Sequence, residues 1–165
     1  MDKLVSIVIP VYGVEKFIDQ CARSLFEQTY GNIQFIFVND CTRDNSIILL
    51  KEIIELYPNR KSQVLIIEKE KNEGLPLARK TGMQYVKGEY VMLLDSDDWV
   101  ETTMVEQMLN AIVAENTDVV YCDYYRNSDT QTPINCIELS NTKEYIKNMF
   151  LLRAPAQTWN KIYRT

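Results

Sequence analysis

The sequence predicts an α/β fold in which a mostly parallel sheet is joined by crossover helices. Two observations carry this. Apolar runs of strand length alternate with segments of helical period along the 165 residues, and the strands read as unbroken apolar stretches, the pattern of strands buried on both faces. Composition agrees: 46% hydrophobic and 25% charged residues are the proportions of an ordinary globular chain, here long enough for one domain over 1–165 with a sizeable core.

The first strand is "LVSIVIPVY". It is not read as a leader segment, because Pro10 interrupts the apolar run, Glu15 and Lys16 end it, and no small-residue cleavage site follows. Phe17, Ile18, Cys21, Ala22, Leu25 and Phe26 then recur at spacings of three and four, one apolar face of a helix. "IQFIFVND" is the second strand. Ile47, Leu50, Ile53, Ile54 and Tyr57 form the next helical stripe, which Pro58 stops. "QVLIIEKE" is a third strand, "LPLARKTGMQYV" a short helix and "EYVMLL" a fourth strand ending at Asp95. The following helix carries Val105, Met108, Leu109, Ile112 and Val113, and "DVVYCDYY" is a fifth strand. Arg126 to Pro133 reads as a loop, "PINCIEL" as a weak strand, and Ser140 as the cap of a last helix with Tyr145, Ile146, Met149 and Phe150 inward. "LLRAPAQTWNKIYRT" stops without a completed element, carrying Trp159, Ile162 and Tyr163 into nothing, so the domain is expected to be truncated at its C-terminal end.

Charge and composition exclude several functions. A net charge of −5 argues against a nucleic-acid platform, which needs clustered Lys and Arg, and implies that any bound anion arrives with a cation. The absence of histidine removes the commonest general base and most zinc sites, leaving catalysis to carboxylates. Cys21, Cys41, Cys122 and Cys136 show no Cys-x-x-Cys spacing and read as free thiols of a reducing compartment. No run approaches the ~18 apolar residues of a spanning helix, so a cytoplasmic place is expected, peripheral attachment to the cytoplasmic membrane face remaining open.

Ligands of open α/β sheets bind at the carboxyl ends of the strands. The polar residues of this chain collect there: Pro10, Val11 and Tyr12 after the first strand, Asn39 and Asp40 after the second, Arg79 after the third, and "DSDD", Asp95 to Asp98, after the fourth. Strand alternation would turn Asp95 and Asp97 to one side, where two carboxylates suit a hard cation such as Mg2+ or Mn2+ whose open positions substrate phosphates fill. The plainer readings are a solvated acidic turn for this cluster, a turn former for Asp40, a core aromatic for Tyr12 and a solvated charge for Arg79.

Five ordered segments, "VSIVIPVYGVEKFIDQCARSLFEQTY", "FIFVNDCTRDNS", "NEGLPLARKTG", "GEYVMLLDSDDWV" and "TWNKIYR", resemble glycosyltransferase family 2, the inverting enzymes with a GT-A fold. The resemblance implies a Rossmann-like mostly parallel sheet with helices on both faces, and a metal-dependent transfer from a nucleotide-sugar, a UDP-sugar by default, to a glycan or lipid-linked acceptor, as in polysaccharide biosynthesis. It implies that Pro10, Val11 and Tyr12 line the base with Glu15 close behind, that Asp40 bonds the base, and that Arg79 lies beside the sugar donor. Asp95 and Asp97 match the D-x-D motif; Asp95 and Ser96 fall to the nucleotide, Asp97 or Asp98 to the metal. Gly13 stands where asparagine is usual, Cys41 replaces glycine, and Lys80 replaces asparagine.

Inverting transfer needs a general base on the acceptor hydroxyl. In the family it lies in an acidic pair beyond "NKIYR", and no Glu-Asp pair follows Trp159. The base is therefore expected beyond Thr165, with Asp123 the one nearby stand-in. Rival readings are a Mg-dependent phosphohydrolase with Asp95 as nucleophile, a calcium loop running from Asp95 to Glu106, a sugar-nucleotide pyrophosphorylase lacking its glycine-rich signature, and a fragment that binds nucleotide and metal without catalysis.

Overall fold

The computed structural model describes residues 3–127, 131–135 and 160–165. Strand β1 (Val5–Val11) leads to helix α1 (Ile18–Phe26), β2 (Ile33–Asn39), α2 (Ser46–Leu56) and the short α3 (Pro58–Lys61). Then come β3 (Val64–Glu68), α4 (Leu75–Met83), β4 (Tyr90–Leu93), α5 (Met104–Ala114), β5 (Val119–Tyr121), β6 (Tyr124–Asn127), β7 (Gln131–Ile134) and β8 (Lys161–Arg164).

The main sheet runs β3-β2-β1-β4-β8-β5. The first four strands are mutually parallel, and β8 lies antiparallel between β4 and β5. β1 is buried along its whole length because it has a strand on each edge and helices on both faces. One face carries Ile7, Ile9, Phe35 and Phe37 under α1, α2 and α5; the other carries Val8, Ile36, Val38 and Val91 under Ala78 of α4. The mostly parallel, doubly covered sheet is thus the one expected.

Several expectations change. Phe17 precedes α1 and is 46% exposed, and Val113 of α5 is 48% exposed, so neither belongs to its apolar stripe. Pro58 stops α2 but also occupies the first turn of α3, where its missing N–H costs nothing. β3 and β5 are only partly buried, because they form the edges of the sheet. The long fifth strand is broken after Tyr121: its Tyr124 and Tyr125 begin β6, and β6 pairs antiparallel in a second sheet with β7, which runs from the expected loop into the start of the expected weak strand at Pro133 and Ile134. Ile162 and Tyr163 do not run into nothing: β8 fills the gap beside β4, and Ile162 is fully buried. The helix expected after Ser140, with Tyr145, Ile146, Met149 and Phe150, lies outside the described residues, as does Trp159.

α4 approaches the sheet through Gly82, where an added Cβ would lie 2.3 Å from Val8 Cγ1 and 3.1 Å from Val38 Cγ2. Gly82→Ala is therefore expected to cost about 1–3 kcal/mol by overpacking, read from the urea unfolding midpoint. Gly31→Ala, where nothing lies within 4 Å, is expected to stay within about 0.5 kcal/mol of the parent.

Candidate functional site

The parallel register sets the rim. Val11 pairs with Asn39 and Asn39 with Glu68, so the loops after β1, β2 and β3 leave the sheet side by side. Leu93, the last residue of β4, lies opposite Val8, and the Leu94 N–H donates to the Val8 carbonyl at 3.0 Å, so the aspartate turn follows at the same end of the sheet. β8 runs the other way, with Ile162 opposite Met92, and brings Asn160 and Lys161 to the same end. Asn160 Nδ2 donates to the Cys122 carbonyl at 2.9 Å, and the buried Lys161 ammonium donates to Asn160 Oδ1 at 3.1 Å. "NKIYR" drew attention in the sequence as a motif, but nothing in it tells which end of the sheet it joins.

Tyr12 is the first residue past β1 and is 50% exposed. Pro10 and Val11 are buried, Val11 in the core, and the Val11 carbonyl accepts the Asp40 N–H at 3.0 Å. Asp40 itself is 2% exposed. Its Oδ1 accepts from Lys69 Nζ at 2.6 Å and the Glu73 N–H at 3.1 Å, and its Oδ2 from the Gly74 N–H at 2.8 Å. Burial works to raise its pKa, but the Lys69 ammonium and the two amides prevail and hold the carboxyl below its usual value. This carboxylate fastens the loop that leads from β3 into α4. Lys69 is the partner that sequence reading missed: a lysine within "EKEKNEG" looks solvated, and only the β2–β3 pairing carries it beneath Asp40.

The loops after β1 and β2 are joined by a second network. Three successive amides of the first loop donate to side chains of the second: Gly13 to Thr42 Oγ1 at 2.8 Å, Val14 to Ser46 Oγ at 3.1 Å and Glu15 to Asp44 Oδ2 at 3.0 Å. Glu15 Oε2 in turn accepts the Asn45 N–H at 3.1 Å. Burial opposes ionisation of Asp44, yet the Ser46 and Thr42 hydroxyls and the amides of Ser46 and Glu15 lower its pKa to about 2. Gly13 has φ of 70° and Cys41 φ of 57°, the left-handed region. That conformation suits Gly13, since glycine and asparagine tolerate it, whereas Cys41 adopts it only under strain.

The aspartates divide. β4 ends at Leu93, and residues 95–98 form a turn closed by the Asp98 N–H on the Asp95 carbonyl at 3.1 Å, so strand alternation does not align Asp95 with Asp97. Asp95 Oδ1 instead accepts from Arg79 Nη2 at 2.5 Å. Arg79 Nε is buried and without a partner among the described residues. Ser96 is buried, Asp97 exposed and Asp98 half-buried. Burial, then the charges of Asp97 and Asp95, push the Asp98 carboxyl up to about 6. The same turn sits over Cys21, whose thiol is driven upward by burial first and by these carboxylates second, leaving it inert.

Among the described residues no group of three or more His, Cys, Asp or Glu side chains is arranged to enclose a metal ion. Asp97 and Asp98 nevertheless fit one of limited kind. Asp95 is neutralised by Arg79, whereas among the described residues no Lys or Arg pairs with Asp97 or Asp98. Two crowded carboxylates without a counter-charge suit a hard cation that takes its remaining ligands from water and phosphate. Glu106, the closing residue of the calcium loop considered above, accepts the Thr29 hydroxyl from the first turn of α5, and a strand precedes the aspartates where that motif requires a helix.

The glycosyl transferase family 2 model matches residues 6–163. EpsJ, an uncharacterized glycosyltransferase of Bacillus subtilis (strain 168), is 33% identical over 172 aligned residues, covering 99% of this chain and 48% of its own. The chain spans less than half the length of such curated relatives. Among solved structures, S. aureus TarS 1-349 in complex with UDP-GlcNAc superposes with a TM-score of 0.78 at 23% identity, over 97% of this chain and 45% of that one. Mannosyltransferase PcManGT from Pyrobaculum calidifontis, with GDP-Man and Mn2+, gives 0.65 at 19% identity over 72% and 34%. At these identities the two superpositions establish the fold.

Two stability outcomes follow from the networks. Asp40→Ala, which leaves Lys69 buried beside Glu73 alone, is expected to cost about 3 kcal/mol in urea unfolding. For Asp44 the folded pKa, about 2, lies below the ordinary value of 3.8, so its stabilisation is complete above about pH 4 and is lost as pH falls through the folded value. The stability difference between the parent and Asp44→Asn is expected to be on the order of 1–2 kcal/mol at neutral pH and to shrink towards pH 2 in parallel unfolding curves.

Proposed function

The chain belongs to glycosyl transferase family 2, and from that premise we propose that its rim binds a nucleoside-diphosphate sugar, a UDP-sugar by default, for inverting transfer to an acceptor hydroxyl of a glycan or lipid-linked glycan. The observation that carries this reading is the convergence of Tyr12, Asp40, Arg79 and the aspartate turn at the carboxyl ends of four parallel strands. TarS, solved with UDP-GlcNAc, and PcManGT, solved with GDP-Man and Mn2+, share this fold and lend the reading support.

In this reading the exposed Tyr12 ring forms a wall for the nucleobase, and Asp40 with the loop it fastens forms the edge facing it. Arg79 holds Asp95 in place, so that Asp95 and Ser96 meet the ribose side of the ligand. Asp97 and Asp98 hold Mn2+ or Mg2+, which supplies Lewis-acid stabilisation of the diphosphate leaving group when bound. Asp97 and Asp98, with no lysine or arginine paired to them among the described residues, would repel a diphosphate, and a bound cation would offset that repulsion.

The general base is assigned outside the described residues. Asp40, Asp44 and Asp95 are occupied by Lys69, by the hydroxyls of Thr42 and Ser46, and by Arg79, and Asp97 and Asp98 go to the cation. Asp123 lies past the end of β5, at the foot of the β6–β7 pair, and in this reading it serves the sugar side of the site. A phosphohydrolase nucleophile at Asp95 is disfavoured by the Arg79 hydrogen bond on its Oδ1.

The test is a thermal shift with Mn2+ across nucleoside diphosphates. Near 100 times Kd, UDP with Mn2+ is expected to stabilise the chain by about 2.7 kcal/mol, with neither component sufficient alone. Asp97→Ala is expected to abolish the joint effect. A response to metal alone that is indifferent to nucleotide would defeat the proposal.

A further inference from the structure

We infer that Asp44, whose bonds run to the loops after β1 and β2, is a positioning residue for the nucleotide, acting through a clasp that fixes the loop bearing Tyr12. The inference rests on the nucleotide-sugar reading above and extends it to a residue to which that reading gives no ligand contact.

The proton accounting of the clasp makes Asp44 its hub. Its Oδ1 accepts from the Thr42 hydroxyl at 2.7 Å, the Ser46 hydroxyl at 2.6 Å and the Ser46 amide at 3.1 Å. Each hydroxyl has one proton, and both protons are given to Asp44. The lone pairs of Thr42 Oγ1 and Ser46 Oγ are thereby left to receive the Gly13 and Val14 amides, while Asp44 Oδ2 receives Glu15 directly. An ionised carboxylate only accepts, so it sets the direction of every bond in the network. An amide at this place would turn an N–H towards either the hydroxyls or the Glu15 amide.

The clasp reaches Tyr12 through one residue. On one side Val11 is held in β1 by the sheet and by the Asp40 N–H on its carbonyl; on the other, Gly13 is held at positive φ by Thr42. Tyr12 is suspended between these fixed points with its ring in solvent. Release of Gly13, Val14 and Glu15 would leave the ring attached at one end only. The cost then falls on ligand binding, which must order the loop again.

The experiment measures UDP affinity with Mn2+ by calorimetry, and hydrogen exchange at the Gly13, Val14 and Glu15 amides, for the parent, Asp44→Ala, Thr42→Val and Thr42→Ser. Asp44→Ala is expected to raise Kd about tenfold and to speed exchange at all three amides while circular dichroism stays that of the folded chain. Thr42→Val, which removes only the hydroxyl, is expected to do the same at Gly13 with a smaller rise in Kd. Thr42→Ser restores the hydroxyl and is expected to stay within about twofold of the parent. If Asp44→Ala does not fold, Thr42→Val against Thr42→Ser decides the matter. Faster exchange with unchanged UDP affinity would overturn the inference, as would affinity lost equally in Thr42→Ser. A parent that binds no nucleoside diphosphate with Mn2+ defeats the nucleotide-sugar reading itself, and the inference with it.

Discussion

The rest of the structure depends on the pairing of β1 with β2 on one edge and β4 on the other, all three parallel. A central strand buried on both faces and both edges satisfies its backbone entirely within the sheet, which is why Val5 to Val11 can be apolar throughout and Pro10 is tolerated near its end. Parallel pairing has a second consequence. Every crossover returns the chain to the opposite end of the sheet, so the loops leaving β1 to β4 open on one rim, and residues from Tyr12 to Asp98 become neighbours there. β8 joins the same rim from the other direction because it is antiparallel to β4.

Loops clustered at a rim would be mobile without internal support, and the charged residues of this chain supply it in two ways. Lys69 and Asp40 form a buried pair in which desolvation opposes both charges, and backbone amides of Glu73 and Gly74 add the bonds that make the carboxylate tolerable. Asp44 works near the surface through hydroxyls and amides, without a cationic partner. Both differ from Asp97 and Asp98, which carry negative charge that no described lysine or arginine offsets. Carboxylates used up by the fold and carboxylates without a described counter-charge thus share one rim.

The fold was largely legible because it rests on periodicity. Apolar residues at strand and helix spacing locate β1 to β4 and α1, α2, α4 and α5. The misreadings are local. Phe17 and Val113 fit their helical stripes by spacing, but each lies at or near a helix end, where the apolar face runs past its covering. β6 and β7 cut across the expected fifth strand, loop and weak strand, because the polar run "RNSDTQTP" signals a turn along its whole length while backbone pairing claims both of its ends. The candidate site was legible as a set of residues at strand ends and not as a set of contacts. Asp95 and Asp97 looked like partners on one face, yet a turn sends the first to Arg79.

The amino-acid sequence by itself determined the alternation of strands and helices from β1 to α5, the parallel arrangement of β1 to β4 and the family, because these depend on local spacing and on motifs that keep their order along the chain. Only the tertiary structure decided which carboxylates are occupied, that Lys69 lies under Asp40, that Asp44 ties two loops together, and that "NKIYR" completes the sheet as β8. The reason is distance along the chain. Lys69 is 29 residues from Asp40 and Asp44 is 29 from Glu15, and no pattern within one segment records a contact whose two halves meet only when separate strands align.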